Sequence, residues 1–146
     1  MTLFQTHLPT ATVVEARGET TLTLPLADML AGLQALRDTL DFAQLIDLCV
    51  VDYQTYGQSE WVTDAATRTG FARGVQRLHA QPDAAPDSTF PTRYAVVTHL
   101  LSLSRNARVR VKVHAEGEPP RVPSLTALWP NADWYEREAF DLYGVF

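Results

Sequence analysis

Residues 134–144 read Trp-Tyr-Glu-Arg-Glu-Ala-Phe-Asp-Leu-Tyr-Gly and form the most informative stretch of this chain. The spacing predicts a helix that stops at Gly144, because glycine readily adopts the left-handed conformation that follows a last helical turn. Asn131 is predicted to be the N-cap, and Asp133 suits the positive end of the helix dipole. We therefore expect one short helix with defined ends.

Two opposite stripes run along this predicted helix. Asp133, Arg137 and Asp141 recur every four residues, so Arg137 can lie between two carboxylates on one stripe. The other stripe is expected to face the core. It consists of Ala132, Tyr135, Ala139 and Leu142.

The composition is that of an ordinary globular domain. The 146 residues fit one domain, with 46% hydrophobic and 20% charged residues. The net charge of −5 argues against nucleic acid as the main partner, since phosphate binding requires a basic surface. Cys49 is the single cysteine, so no internal disulfide and no Cys-x-x-Cys motif exists. Its apolar neighbours predict a buried, structural thiol.

Apolar periodicity predicts the other elements. The predicted elements are strands at 12–14 and 20–24, a helix at 26–39, strands at 45–53, 94–103 and 108–113, and a capped turn at Ser124 before the last helix. The strand at 94–103 is apolar on both faces, which is typical of a strand covered on each side. The order predicts an α+β fold, a two-layer sandwich of helices on a mixed, largely antiparallel β-sheet.

Residues 54–91 interrupt this plan. We predict that they are a partly disordered insertion in a single domain of residues 1–146, because the segment is rich in glycine and proline. A helix is predicted after Asp64 with Phe71, Val75 and Leu78 on one side. Residues 81–88 are interpreted as a mobile linker.

The chain lacks the residue patterns typical of an enzyme. The four histidines are scattered, and no pair has metal-ligand spacing. No glycine-rich phosphate loop occurs. Glu136 and Glu138 lie two residues apart and project from different sides of a helix, which argues against a carboxylate dyad. We therefore predict no catalytic, cofactor-binding or metal site, and we interpret His99 as a core or interface residue.

Charge is concentrated on two elements. In the strand at 108–113, valines alternate with Arg108, Arg110 and Lys112, which places three cations on one side. Such a row is unfavourable without a negative neighbour, which is either the acidic helix of this chain or an acidic surface of another protein. The helix charges are either a solvated face with weak ion pairs or docking groups for a partner.

The motif Glu-Arg-Glu-x-x-Asp-Leu-x-Gly at 136–144 resembles the signature of the 30 kDa subunit family of respiratory complex I, the NADH:quinone oxidoreductase, in which this protein is the C subunit. Further segments resemble this family in order and spacing; they are residues 45–53, 94–103, 108–113, 122–125 and 128–130. The family continues past the glycine into a basic tail, whereas this sequence stops at Phe146. Part of the contact with neighbouring subunits is therefore expected in that tail.

The resemblance implies a non-redox scaffold subunit in the hydrophilic arm of a proton-translocating enzyme, ordering its neighbours near the quinone site. It implies that flavin mononucleotide (FMN), iron–sulfur clusters and quinone belong to the parent complex. The partners implied are other hydrophilic-arm subunits and no nucleic acid, with peripheral membrane association through the complex at the cytoplasmic face of the bacterial inner membrane. The interface is predicted to comprise Arg108, Arg110, Lys112, Asp133, Glu136, Arg137, Glu138, Asp141 and Tyr143.

Two alternatives stay open. The chain also resembles the equivalent scaffold subunit of membrane-bound hydrogenase-type complexes, whose reaction differs. From another class, it is a free-standing α+β module that binds a small ligand. That module requires a pocket lined by Trp129, Trp134 and Tyr143, whereas a flat charged surface counts against it.

Overall fold

The computed structural model describes residues 3–54, 56, 61–63, 75–77 and 90–146. The chain forms two compact units, Met1–Val51 with Tyr94–Phe146 and Asp52–Arg93. All predicted interface residues belong to the first unit. Among the helices of the described residues, none is long and apolar enough to cross a membrane.

The helices and strands follow the predicted order. In chain order they are α1 (Leu3–His7), β1 (Thr12–Ala16), β2 (Glu19–Leu24), a 3₁₀ turn (Leu26–Asp28), α2 (Met29–Asp38), β3 (Gln44–Asp52), β4 (Trp61–Thr63), β5 (Val75–Arg77), β6 (Tyr94–Ser102), β7 (Ala107–His114) and α3 (Ala132–Tyr143). The short helix α1 was not predicted, and the predicted helix at 26–39 begins as a 3₁₀ turn.

Five strands form one sheet in the order β1-β2-β7-β6-β3. β1 and β2 are antiparallel, as are β6 and β7, whereas β2 and β7 are parallel. The predicted α+β fold with a mixed, largely antiparallel sheet is therefore confirmed. β6 lies inside the sheet, and Val96 and Val97, which point to opposite faces, are both buried.

The hydrophobic core lies on one face of the sheet. Val109, Val111 and Val113 of β7 point to this face and are at most 1% exposed. Leu33 and Leu36 of α2 belong to the same buried cluster, as do two alanines of α3. The helices therefore cover the face that carries the valines, and the alternate residues of β7 lie on the other face.

Gly32 explains how α2 packs closely on β2. A Cβ at this position would lie 2.8 Å from Leu24 Cδ1, closer than two carbon atoms approach. Glycine inside a helix costs roughly 1 kcal/mol relative to alanine, so packing offsets a weak helical propensity here. Leu24 is 3% exposed and Leu33, the next helical residue, is fully buried.

The ends of α3 agree with the prediction in position. Gly144 has φ of 68°, and its N–H donates to Phe140 O at 2.9 Å. Asn131 occupies the N-cap position, but its side chain donates to Leu45 O at 3.1 Å instead of capping the helix. The prediction that Leu142 faces the core is wrong, since it is 66% exposed. The buried side of α3 is narrow because two alanines line it, and Leu142 lies outside it.

The second unit contains the antiparallel pair β4 and β5, with Thr63 opposite Val75. The prediction of a helix through Val75 is wrong, because this β-branched residue lies in a strand. Residues 64–74 and 78–89, including the predicted linker, lie outside the described residues. The partly disordered insertion stays a prediction.

The two ends of the second unit contact each other. Arg93 binds the Asp52 carboxylate through Nε and Nη2, with the shortest contact at 2.6 Å. Tyr53 N donates to Arg93 O at 2.8 Å, and the Tyr53 ring stacks on Phe90 with centroids 3.8 Å apart. These contacts tie residues 52–54 to residues 90–93.

Candidate functional site

The face of the sheet opposite the core, here called the open face, carries the predicted basic row of β7. Arg108, Arg110 and Lys112 lie on this face because they alternate with the buried valines. Arg108 is exposed, and the other two are half-buried. The strand pairing places Thr21 of β2 and His99 of β6 on either side of Arg110.

Arg110 is held by three neighbours on the open face. Its Nη2 donates to Glu19 Oε2 at 2.8 Å, and its Nη1 donates to Thr21 Oγ1 at 3.4 Å. Its Nε donates to His99 Nε2 at 3.1 Å, so this ring nitrogen is the acceptor. Asp47 Oδ2 of β3 lies 3.7 Å from His99 Nδ1. A polar chain therefore runs across β2, β7, β6 and β3.

This arrangement determines which acid in the chain neutralises Arg110. The acidic helix was one of two predicted neighbours, and for Arg110 that prediction is wrong, because Glu19 takes the role. The reason lies in the sheet: α3 packs on the core face, and β7 turns its cations to the opposite face. His99 is half-buried and has partners, as its interpretation as a core or interface residue requires.

The predicted charges of α3 point away from the core. Asp133, Arg137, Glu138 and Asp141 are all exposed. Within the described part of the chain, Arg137 makes no ion pair with Asp133 or Asp141, contrary to the predicted stripe of ion pairs. Exposed pairs of this kind contribute little to stability, so their absence is unsurprising. These side chains are free to meet a partner.

Tyr143 and Glu136 differ from the other predicted residues of α3. Tyr143 is 37% exposed, and its ring meets Tyr94 of β6 edge-on with centroids 6.2 Å apart. Glu136 is half-buried, and its Oε1 accepts the backbone N–H of Leu125 at 2.6 Å. Leu125 is fully buried, so Glu136 fixes the turn before α3 onto the helix. Glu136 therefore has a structural role.

Replacing Glu136 with alanine is expected to lower the free energy of unfolding by about 2 kcal/mol, because the Leu125 N–H would be left without its acceptor. The measurement is urea unfolding followed by circular dichroism. The matched control is Glu138→Ala, which removes the same charge from an exposed position and should change stability by less than about 0.5 kcal/mol. Equal effects of the two variants would contradict the structural role of Glu136.

Side chains from the α3 region cover the outer edge of β3. Trp129 Nε1 donates to Ala43 O at 2.8 Å, and Tyr135 Oη donates to Ile46 O at 3.0 Å. With the bond from Asn131, these contacts occupy carbonyl groups along an edge that would otherwise be open to pairing. This role was not predicted from the sequence, since it depends on β3 being an edge strand.

The ligand-binding alternative lacks its predicted pocket. Trp129 is 5% exposed with its indole N–H bound to the backbone, whereas Trp134 is 72% exposed. Tyr143 packs against Tyr94 instead. The three aromatic residues therefore do not converge. In the described part of the chain, no group of three or more His, Cys, Asp or Glu side chains is placed to hold a metal ion.

Cys49 is exposed, and the prediction of a buried thiol is wrong. It alternates with the core residues Leu48 and Val50 of β3, so it points to the open face, where no helix covers it. Partial desolvation of the sulfur raises the pKa of the Cys49 thiol, as do the Asp47 and Glu138 carboxylates, while Arg110 opposes them.

The raised pKa predicts slow alkylation of Cys49 at neutral pH, because the thiolate is the reactive form. The variant Glu138→Gln removes one of the two negative neighbours and should speed the reaction with iodoacetamide by about twofold. The rate is followed by mass spectrometry across a pH series. The control is Asp133→Asn, a neutralisation in the first turn of α3. An equal rise in both variants would mean that overall charge, and not Glu138, controls the thiol.

Known proteins match this chain along most of its length. Residues 22–146 match the family model described as respiratory-chain NADH dehydrogenase, 30 Kd subunit. The NADH-quinone oxidoreductase C subunit of Hydrogenovibrio crunogenus is 48% identical over 128 residues, which are 87% of this chain and 57% of that protein. The C subunit of Legionella pneumophila (strain Corby) is 45% identical over 135 residues, 91% of this chain and 58% of that protein. The chain thus spans about half the length of the curated relatives it matches.

The fold is also similar to a solved structure, the trypsin-resistant fragment (1-134) of Nqo5. The TM-score is 0.66 at 26% sequence identity, and the similarity covers 93% of this chain and 85% of that one. The family match extends over both the basic row of β7 and the charged helix α3. This chain belongs to the family of the 30 kDa subunit of respiratory-chain NADH dehydrogenase.

Proposed function

We propose that this chain is part of the C subunit of a bacterial NADH-quinone oxidoreductase and acts as a scaffold that orders neighbouring subunits near the quinone site. The observation that carries the proposal is the exposed charge of α3: Asp133, Arg137, Glu138 and Asp141 face outward without an ion pair among the described residues. Relatives with 45% and 48% identity carry the name of that subunit. Charges without internal partners are suited to docking, since a partner surface supplies their counter-ions.

The redox chemistry is assigned to the rest of the complex. FMN, iron–sulfur clusters and quinone would be bound by other subunits, because these 146 residues contain one cysteine and cluster ligation requires several thiolates. The partners proposed are the other hydrophilic-arm subunits, with no role for nucleic acid. The complex would hold this chain at the cytoplasmic face of the inner membrane.

The test is an affinity pull-down of the tagged full-length protein from detergent-solubilised membranes, with the co-purifying proteins identified by mass spectrometry. The expected result is recovery of the subunits that carry FMN and iron–sulfur clusters. Recovery of nickel-site subunits would replace the proposal with the hydrogenase-type complex. A protein that is purified alone would overturn the scaffold role.

A further inference from the structure

A polar cleft opens at one end of the open face. Its volume is about 510 Å³, and it lies between the β1–β2 turn and the β6–β7 turn. The residues that line it are Gly18, Glu19, Thr20, His99, Asn106, Ala107, Arg108, Val109 and Arg110. Backbone with positive φ shapes both turns, at Arg17 and Gly18 in one and at Asn106 in the other. The cleft is thus built from two tight turns and the basic row of β7.

The two arginines of this cleft are in different states. Arg110 uses Nε, Nη1 and Nη2 for His99, Thr21 and Glu19, so its guanidinium is held in place. Arg108 is exposed, and among the described residues it takes part in no ion pair or hydrogen bond. The strand pairing puts Glu19 in the register position beside Arg108, yet its carboxylate binds Arg110.

The charges of the open face do not balance within it. Three cations of β7 face two carboxylates, Glu19 and Asp47, although the chain as a whole carries a net charge of −5. A guanidinium fork is well suited to bind a carboxylate through two parallel hydrogen bonds. The surplus positive charge therefore favours an acidic group.

Apolar surface borders the cleft. Leu101 of β6 lies opposite Arg108 in the strand register and is half-buried. Leu103, in the β6–β7 turn, is 71% exposed. A carboxylate flanked by apolar side chains would match both features, which points to a protein segment as the occupant more than to a small anion.

We propose that this cleft docks an acidic segment of a neighbouring subunit, with an Asp or Glu carboxylate of that segment bound by Arg108. The inference rests on the proposed scaffold function and names a second docking surface, on the face of the sheet opposite α3. Arg110 supports the site as a positioning residue, because its three partners fix the positive charge beside Arg108.

The test uses Arg108→Glu and Arg108→Gln in the full-length protein of the native complex, with assembly measured by co-purification and native gels. Arg108→Glu is expected to reduce the assembled complex roughly tenfold, and Arg108→Gln less, because the first repels a carboxylate and the second only loses the attraction. The matched control is Arg121→Glu, an exposed arginine outside the open face. Thermal unfolding of each purified variant verifies that the fold is kept.

A cross-linking measurement identifies the occupant. A short photo-activated cross-linker is attached through Arg108→Cys in a Cys49→Ser background, since Cys49 is the single native thiol of these residues. The expected product joins position 108 to a segment of another subunit that contains Asp or Glu. Cross-links to lipid or to a segment without carboxylates would overturn the inference, as would normal assembly of Arg108→Glu. Failure of the unmodified protein to co-purify would instead overturn the scaffold function.

Discussion

Replacing Leu33 with alanine is expected to lower the free energy of unfolding by about 3 kcal/mol, the largest effect on stability predicted for this chain. Leu33 is fully buried in α2, beside the close contact between Gly32 and Leu24. Truncation removes buried apolar surface and leaves a cavity that close-packed neighbours fill only in part. Urea unfolding followed by circular dichroism measures the change.

The same helix offers a matched control. Leu30 is 42% exposed, and Leu30→Ala makes the same chemical change three residues earlier. We expect it to lower stability by less than about 1 kcal/mol, because part of the side chain already contacts water. If the two variants lost equal stability, α2 would not pack on the sheet through the side that contains Leu33.

Replacing Arg137 and Glu138 together with alanine is expected to leave the isolated domain folded and to reduce assembly of the complex roughly tenfold. Both side chains are exposed, and Arg137 has no ion pair among the described residues. The fold should therefore lose less than about 0.5 kcal/mol. Assembly should suffer because a docked partner would face a surface without its charges. Unfolding measurements and co-purification from membranes are made on the same variant.

The control for this pair lies at the opposite edge of the sheet. Glu15 and Arg17 are also exposed and of opposite charge. Glu15→Ala with Arg17→Asn removes one charge of each sign, and asparagine tolerates the positive φ at position 17. This variant should assemble normally. Loss of fold in the Arg137 and Glu138 variant would make the motif structural, and normal assembly of that variant would remove α3 from the interface.

Local patterns were enough to predict most elements of the first unit. The stop of α3 at Gly144 depends only on the backbone freedom of one residue, and the two sides of β7 follow from the period of a strand. The α+β class with a mixed sheet followed from the order of these elements. Each of these features is decided by neighbours within a few residues in the sequence.

Tertiary structure alone decided which side chains meet. Glu19 reaches Arg110 because β2 and β7, about 90 residues apart in the sequence, pair in parallel in one register. Cys49 is exposed because its face of the sheet has no helix over it, a fact that an apolar run of sequence does not contain. The partner of Arg108 is likewise absent from any local pattern, since the sequence determines the charge of a strand face and only packing determines what lies across from it.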